Sequence, residues 1–95
     1  MIKVVAKSLA KADKLDIILE LSAELVEKTV KEEGCIKYEL FQDMKNPNVM
    51  IFIEEWESEE ALSKHMASEH FTRIVPQLNE MKEKASEINI LKKLF

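Results

Sequence analysis

The chain has 95 residues, of which 46% are hydrophobic and 34% are charged, with one glycine, two prolines and one cysteine. This length and composition predict a single globular domain over residues 1–95, built from regular elements with few loops. The net charge of −4 at pH 7 and the lack of a basic run with interleaved aromatic residues exclude a typical nucleic-acid-binding protein.

Membrane and secreted proteins are also poor matches. No segment approaches the ~20 consecutive apolar residues of a membrane span. The N-terminal stretch "MIKVVAKSLAKAD" lacks the apolar core of a signal peptide. Cys35 has no second cysteine with which to form an internal disulfide, which fits a reducing compartment. We therefore expect a cytoplasmic protein without a membrane partner.

The first third of the chain predicts a strand followed by a helix. Residues 2–9 are short, rich in β-branched side chains and roughly alternating, as in a strand. Asp13, with Asp16 three positions later, indicates a helix start. Apolar residues then recur at three- and four-residue steps, which predicts an amphipathic helix of about 18–20 residues. Gly34, the only glycine, predicts a left-handed C-cap.

Two further strands follow as a hairpin. The stretch "CIKYELFQD" predicts a strand in which Ile36, Tyr38 and Leu40 point to one face. Residues 44–48, "MKNPN", have the composition of a turn. The stretch "VMIFIEEWE" then predicts the third strand, so the second and third strands form an antiparallel pair.

The last third predicts helical segments and a final strand. Ser58 and Ser68 are both suited to cap helices. Pro76 lacks an amide donor, so we expect a bend or boundary near residues 72–76. The stretch "SEINILKKLF" predicts a fourth strand. The order β-α-β-β-α-β is typical of an α+β ferredoxin-like fold, with an antiparallel sheet and both helices on one face.

A sheet covered on one side predicts a partner for its other side. Residues 49–53, "VMIFI", are apolar in succession, so both faces of the third strand favour burial. Large exposed apolar patches are rare on monomers. The simplest cover is a second copy of the chain, sheet against sheet, and we therefore predict a homodimer.

A group of chemically capable side chains is predicted around the third strand. Phe52, Glu54 and Trp56 share one face of a regular strand. A helix that returns over its own sheet could place His65 above that face. An imidazole beside a carboxylate in an apolar crevice is a plausible general base, and Tyr38 could add a phenol to the same pocket.

Structural explanations compete with the functional ones. Trp56 is more often a core residue than a catalytic one, and His70 could be a solvated residue of a first helical turn. His65 and His70 are five residues apart, about 140° on a continuous helix, so they do not form an i, i+4 metal pair. No "HExxH" or cysteine–histidine cluster is present. We expect no metal, and we expect Cys35 to be a buried, unreactive thiol.

The residues that carry a family resemblance are "KEEGCIKYELFQD", "IEEWES", His65 and "SEHF", in that order and spacing. Together with Tyr38 they resemble the antibiotic biosynthesis monooxygenase (ABM) family, over residues 2 to about 94. The resemblance implies a dimeric α/β barrel and a pocket between the sheet and the helices. It also implies cofactor-independent oxidation of phenols or hydroquinones, and the chain looks closest to the quinol monooxygenase type. Haem-degrading relatives use an asparagine on the first strand, and residues 1–12 contain none, so the resemblance does not extend to haem chemistry. The asparagine of the polyketide-oxidising relatives near the third strand is also missing, since Asn48 falls in a turn.

The leading hypothesis is oxidation of a small electron-rich phenol or hydroquinone by O2 without a cofactor. His65 would accept the hydroxyl proton and Glu54 would orient it. The expected pocket residues are Tyr38, Phe52, Trp56, His70 and Phe71. One alternative is a cofactor-free isomerase or tautomerase of a small carbonyl compound, in which Arg73 or Lys64 would bind the phosphate of a phosphorylated substrate. The other is a non-enzymatic dimeric module that binds a small aromatic molecule.

Overall fold

A computed structural model describes all of residues 1–95 and contains four strands and three helices. The strands lie in the order β2-β3-β1-β4, and all three pairings are antiparallel. The α+β ferredoxin-like fold is therefore confirmed, with its second helical region divided into two helices. In chain order the elements are β1 (Ile2–Leu9), α1 (Leu15–Thr29), β2 (Cys35–Gln42), β3 (Val49–Trp56), α2 (Glu59–Met66), α3 (Glu69–Glu80) and β4 (Glu87–Lys92).

The start of α1 differs from the prediction. The helix begins after Lys14, which makes no side-chain cap hydrogen bond, and the predicted start at Asp13 is wrong. The Lys14 amide donates to the Lys11 carbonyl at 3.0 Å, so Asp13 lies inside a turn that precedes the helix. The buried face of α1 recurs at three- and four-residue steps, as an amphipathic helix requires: Ile18, Ser22, Leu25 and Thr29.

Gly34 has the predicted left-handed backbone, with φ of 87°. It does not directly follow the helix, because a short turn separates Thr29 from Gly34. A Cβ atom at this position would lie 2.5 Å from the Cβ of Ala61 in α2. The Gly34 carbonyl also accepts a hydrogen bond from the Glu57 amide at 2.9 Å. The glycine thus lets the segment after α1 approach the start of α2.

A β-bulge at the start of β2 corrects the predicted side-chain alternation. Cys35 pairs with Trp56 and Lys37 pairs with Glu55, so Ile36 is the extra residue. Ile36 is 48% exposed and does not share the buried face of its strand. The sequence pattern did not reveal this bulge, because Ile36 is apolar and continues the alternating row of Tyr38 and Leu40.

The break between the two helices confirms Ser68 as a predicted helix cap, whereas the boundary expected near Pro76 is absent. The two helices are separated at Ala67 and Ser68, and the Ser68 hydroxyl accepts the Phe71 amide at 3.3 Å. The α3 helix then runs through Pro76 without a boundary, so the boundary predicted at 72–76 is wrong. Pro76 and Thr72 both lie on the exposed side, where water can bond the Thr72 carbonyl that the missing amide leaves free.

The core lies between one face of the sheet and the helices. Its largest fully buried side chain is Trp56, and Ile74 of α3 is equally inaccessible. The shortest dimension of the molecule is 19 Å, which corresponds to one sheet and one helix layer. No helix combines the length and apolar character that crossing a membrane requires.

Candidate functional site

His65 projects from α2 onto the helix-covered face of the sheet. Its helix begins at Ser58, whose hydroxyl accepts an amide of the first turn at 3.1 Å. The histidine is 1% exposed. Its ring centroid lies 4.6 Å from that of Trp56, 5.2 Å from that of Tyr38 and 5.0 Å from that of Phe71. The imidazole is therefore enclosed by aromatic side chains from strands and helices.

Glu32 binds both histidines. Its Oε2 atom lies 2.8 Å from His65 Nδ1 and 2.6 Å from His70 Nε2. Because a carboxylate only accepts hydrogen bonds, each of these ring nitrogens carries a hydrogen. In neutral His65 the other nitrogen, Nε2, then holds a lone pair, and no protein group bonds to it. This tautomer makes Nε2 the basic atom.

The sequence predicted that Glu54 orients His65, and this prediction is wrong. Its Oε1 atom accepts the Trp56 Nε1 hydrogen at 2.9 Å, and the orienting carboxylate is Glu32. Sequence reasoning missed Glu32 because 33 residues separate it from His65 and a turn sets its position. The available signal was its place two residues before Gly34, within the stretch that resembles the family. The neighbouring Glu33, which formed part of that motif, is exposed.

Burial changes the protonation of both ionisable groups. Desolvation lowers the pKa of His65 from its usual value, although the hydrogen bond to Glu32 opposes this effect. Desolvation raises the pKa of Glu54 to about 7. The negative charge of Glu32 also raises this pKa, whereas the hydrogen bond from Trp56 lowers it. At neutral pH the site thus contains a neutral imidazole and a carboxyl group near its titration point.

A cavity of about 450 Å³ lies between the sheet and the helices, and 13 of its 19 lining residues are hydrophobic. This volume is typical of a site for a small molecule. Trp56 and His70 were predicted to line this cavity, but neither does. Trp56 is fully buried, and His70 is hydrogen-bonded to Glu32, which does not line the cavity either. Five of the predicted site residues do line it: Tyr38, Phe52, Glu54, His65 and Phe71.

Glu32, His65 and His70 form the group best suited to hold a metal ion. Each offers one ligand atom, and the three atoms lie within 4.8 Å of one another. Two imidazoles and a carboxylate suit several transition metals. The spacing argument against a histidine pair assumed a continuous helix, whereas the break at residues 67–68 lets both rings reach Glu32. That the protein functions without a metal ion stays a prediction.

The other candidates are surface or structural groups. The Arg73 Nε donates to Glu69 at 2.7 Å, and Lys64 lies 3.4 Å from Glu60; neither basic residue lines the cavity. Cys35 does not line it either, and desolvation raises the pKa of its thiol to about 11. A thiol that stays protonated at neutral pH is a weak nucleophile.

Comparison with known proteins now decides the family. The family model described as antibiotic biosynthesis monooxygenase matches residues 1–77. The chain belongs to this family. The matched region contains both histidines and Glu32, as well as most of the cavity wall.

Two solved structures are similar to this fold over nearly all of the chain. A crystal structure of an antibiotic biosynthesis monooxygenase is 42% identical, with each chain covered to 100% and a TM-score of 0.96. A conserved protein from Methanosarcina mazei Go1 is 43% identical, with coverage of 98% of this chain and 92% of that one and a TM-score of 0.96.

A similar protein from Synechocystis sp. (strain ATCC 27184 / PCC 6803 / Kazusa), the uncharacterized protein sll1783, is 32% identical over 82 residues. The match covers 86% of this chain and 56% of that protein. The chain thus spans about half the length of this relative.

Proposed function

We propose that this member of the family is a monooxygenase that oxidises a small electron-rich phenol or hydroquinone with O2, with His65 as the general base. The observation that carries the proposal is the state of His65: it is buried and lines an apolar cavity, and Glu32 fixes its tautomer. The lone pair on Nε2 is thereby available to a bound hydroxyl group. We also propose the cytoplasm as the location, since Cys35 is a free thiol.

The proposed reaction needs no external reductant, because the substrate supplies all four electrons. His65 accepts the hydroxyl proton of a phenol or hydroquinone that carries a hydrogen at a ring carbon ortho or para to that hydroxyl. The phenolate passes one electron to O2, and the resulting superoxide joins the phenoxyl radical at that carbon. The peroxide takes back the proton from His65, and the C–H and O–O bonds then break, so that water leaves with that proton and the carbon-bound hydrogen. One oxygen atom ends in a quinone carbonyl, and the other, with two hydrogens from the substrate, leaves as water.

The cavity supports this chemistry in two ways. Its hydrophobic wall, which includes Phe52 and Phe71, can hold an aromatic ring and exclude water. Glu32 acts as a positioning residue: its hydrogen bond to Nδ1 fixes the imidazole and stabilises the imidazolium that forms when Nε2 accepts a proton. A carboxylate behind a basic histidine has the same role in hydrolytic triads.

The test is oxygen uptake with a panel of hydroquinones and naphthols, in wild type and in His65→Asn. Asparagine retains a donor near the Nδ1 position, so the contact with Glu32 can persist, but it has no basic nitrogen. We expect kcat to fall by about 10²–10⁴. Equal rates in the two proteins would remove His65 from the mechanism. Lys64→Ala is the matched control, because Lys64 is the preceding residue of the same helix and its side chain is 73% exposed.

Glu32 variants separate positioning from folding. Glu32→Gln keeps an acceptor for the Nδ1 hydrogen but removes the charge, and Glu32→Ala removes both. We expect kcat to decrease progressively from wild type through Glu32→Gln to Glu32→Ala, with KM nearly unchanged. A purely structural role predicts instead that activity per folded molecule stays constant in both variants.

A cofactor-free isomerase or tautomerase is the second candidate. It is favoured by the presence of Glu54 in the same cavity wall, with a pKa of about 7 beside a neutral imidazole. Such a pair can donate and accept protons next to a carbonyl group. Turnover under anaerobic conditions distinguishes this reaction from oxidation, which stops without O2. A protein that binds aromatic molecules and turns over none of them would be the non-enzymatic module.

A further inference from the structure

Lys82 is the one lysine or arginine in the wall of the cavity. It follows α3, and its Nζ donates to Asn79 Oδ1 at 2.9 Å and to Ser86 Oγ at 2.7 Å. Both partners are uncharged, and no carboxylate pairs with Lys82. An ammonium group has three hydrogens to donate, so one remains free of protein partners.

This environment is unfavourable for an isolated positive charge. Lys82 is partly buried, and desolvation lowers its pKa from the usual value. The rest of the cavity wall is mainly hydrophobic. A negatively charged ligand group within reach of Nζ would offset the desolvation of the ammonium.

Lys82 and the proposed base lie at opposite ends of the cavity. Glu54, which lines the cavity with His65, pairs with Val4 on β1, whereas Lys82 pairs with Ala10 just beyond that strand. The six residue steps from Val4 to Ala10 span roughly 20 Å of extended chain. His65 is buried, whereas the cavity-lining Asn79 beside Lys82 is exposed, so the cavity is open at Lys82 as well as along β4, where Ile88 and Ile90 are 61% and 57% exposed.

We propose that the cavity binds an elongated aromatic molecule that carries a carboxylate, which Lys82 binds at the open end while the hydroxyl group meets His65. The ammonium and its two neutral neighbours can balance one negative charge, which favours a carboxylate over a doubly charged phosphate. Glu54 at the buried end disfavours the reverse orientation, because it would face the anionic group. The hydroxyl end rests on the proposed function, and the carboxylate end rests on Lys82 alone.

Lys82 also has a structural explanation. Its two hydrogen bonds connect the end of α3 to the segment before β4, and they could serve only to stabilise that connection. The two explanations differ in one respect. If Lys82 is only structural, the affinity of the cavity does not depend on whether the ligand is charged. If Lys82 binds an anion, the cavity binds a carboxylate more tightly than a neutral group of the same shape.

Calorimetric titration without O2 tests the proposal. The probes are a hydroxynaphthoate, with its hydroxyl and carboxylate on opposite rings, and the carboxamide of the same skeleton. We expect wild type to bind the carboxylate at least about tenfold more tightly. Lys82→Met should abolish the preference and Lys82→Arg should largely retain it. Lys84→Met is the matched control, since Lys84 is exposed and lies outside this cavity.

The outcomes separate this proposal from the oxidation itself. Equal affinities for the two probes in wild type, no binding of the carboxylate, or an unchanged preference in Lys82→Met would each overturn the anion site. A clear preference in a protein that consumes no O2 would leave the anion site standing and reject the monooxygenase. Loss of folding in Lys82→Met would show in its melting curve, and Lys82→Gln would then replace it.

Discussion

Glu54 shows how far burial can change a single side chain. It ends an apolar strand, is 6% exposed, and receives one hydrogen bond, from Trp56. No cation pairs with it, so the unfavourable desolvation of its charged form dominates and raises its pKa to about 7. The carboxyl group therefore changes protonation in the range where the protein is expected to work.

Glu54 makes the stability of the protein depend on pH. Its folded pKa of about 7 exceeds the reference value of 4.5, so between these values the folded state holds a proton that the unfolded state has lost. The free energy of unfolding should therefore fall as pH rises from 4.5 to about 7, by about 3 kcal/mol from this group. Urea unfolding of wild type and Glu54→Gln across this range measures the effect.

Glutamine keeps an acceptor for the Trp56 hydrogen but does not titrate. The difference in unfolding free energy between the two proteins should therefore shift in favour of Glu54→Gln as the pH increases. His65 contributes the opposite dependence, since its lowered pKa stabilises the neutral form and that stability is lost as the pH falls. It contributes to both proteins and cancels in the difference. Parallel profiles would mean that Glu54 titrates in its ordinary range.

At the scale of secondary structure, the connection from α1 to β2 positions Glu32 relative to His65. The Glu32 amide donates to the Thr29 carbonyl at 3.0 Å, and the Glu32 carbonyl accepts the Cys35 amide at 3.2 Å. The backbone of Glu32 is thus held on both sides. Gly34 completes the turn and allows it to lie against Ala61 of α2, the helix that carries His65.

Gly34→Ala should destabilise the protein by about 2–5 kcal/mol. Alanine is strained at φ of 87°, which costs about 1–2 kcal/mol. Its Cβ would also lie 2.5 Å from that of Ala61, and overpacking of this kind costs about 1–3 kcal/mol. Chemical denaturation measures the total. Ala61→Gly alone should cost about 1 kcal/mol because glycine is unfavourable in a helix. After that cost is subtracted, adding Ala61→Gly to Gly34→Ala should recover the steric part but not the backbone strain, and purely additive effects of the two changes would contradict the contact.

The sequence predicted the elements better than their junctions. Regular periodicity predicted β1, β2, β3 and α1, because each buries one face; it also predicted β4, although that strand is exposed along its whole length. Asp13 and Pro76 were misleading, since a preceding turn and an exposed helix face changed what each does. The site residues show the same contrast between regular elements and turns. His65, Glu54 and Tyr38 were predicted as neighbours from strand register and helix return, whereas Glu32 depends on a turn that no periodic pattern describes.

The whole molecule has one apolar surface that its own helices leave uncovered. Its shortest dimension of 19 Å leaves room for a single helix layer. The opposite sheet face carries Val5 and Ile53, which pair across β1 and β3, and Ile51, which pairs with Lys7; the three apolar side chains are only partly buried. Phe41 on β2 is 47% exposed, and Leu91 on β4 is 42% exposed. We propose that a second copy of the chain covers this face, as the sequence predicted.

Ile53→Lys should convert the proposed dimer into a monomer. Ile53 lies on an inner strand between Val5 and Glu39, so a charge there would be buried at the centre of the contact. Light scattering coupled to size-exclusion chromatography measures the mass. Ile17→Lys introduces the same charge on the exposed side of α1, where Ile17 is 48% exposed, and should leave the dimer intact. A wild-type mass of 11.0 kDa would reject the dimer directly. A dimer that persists in Ile53→Lys would place the contact on another surface.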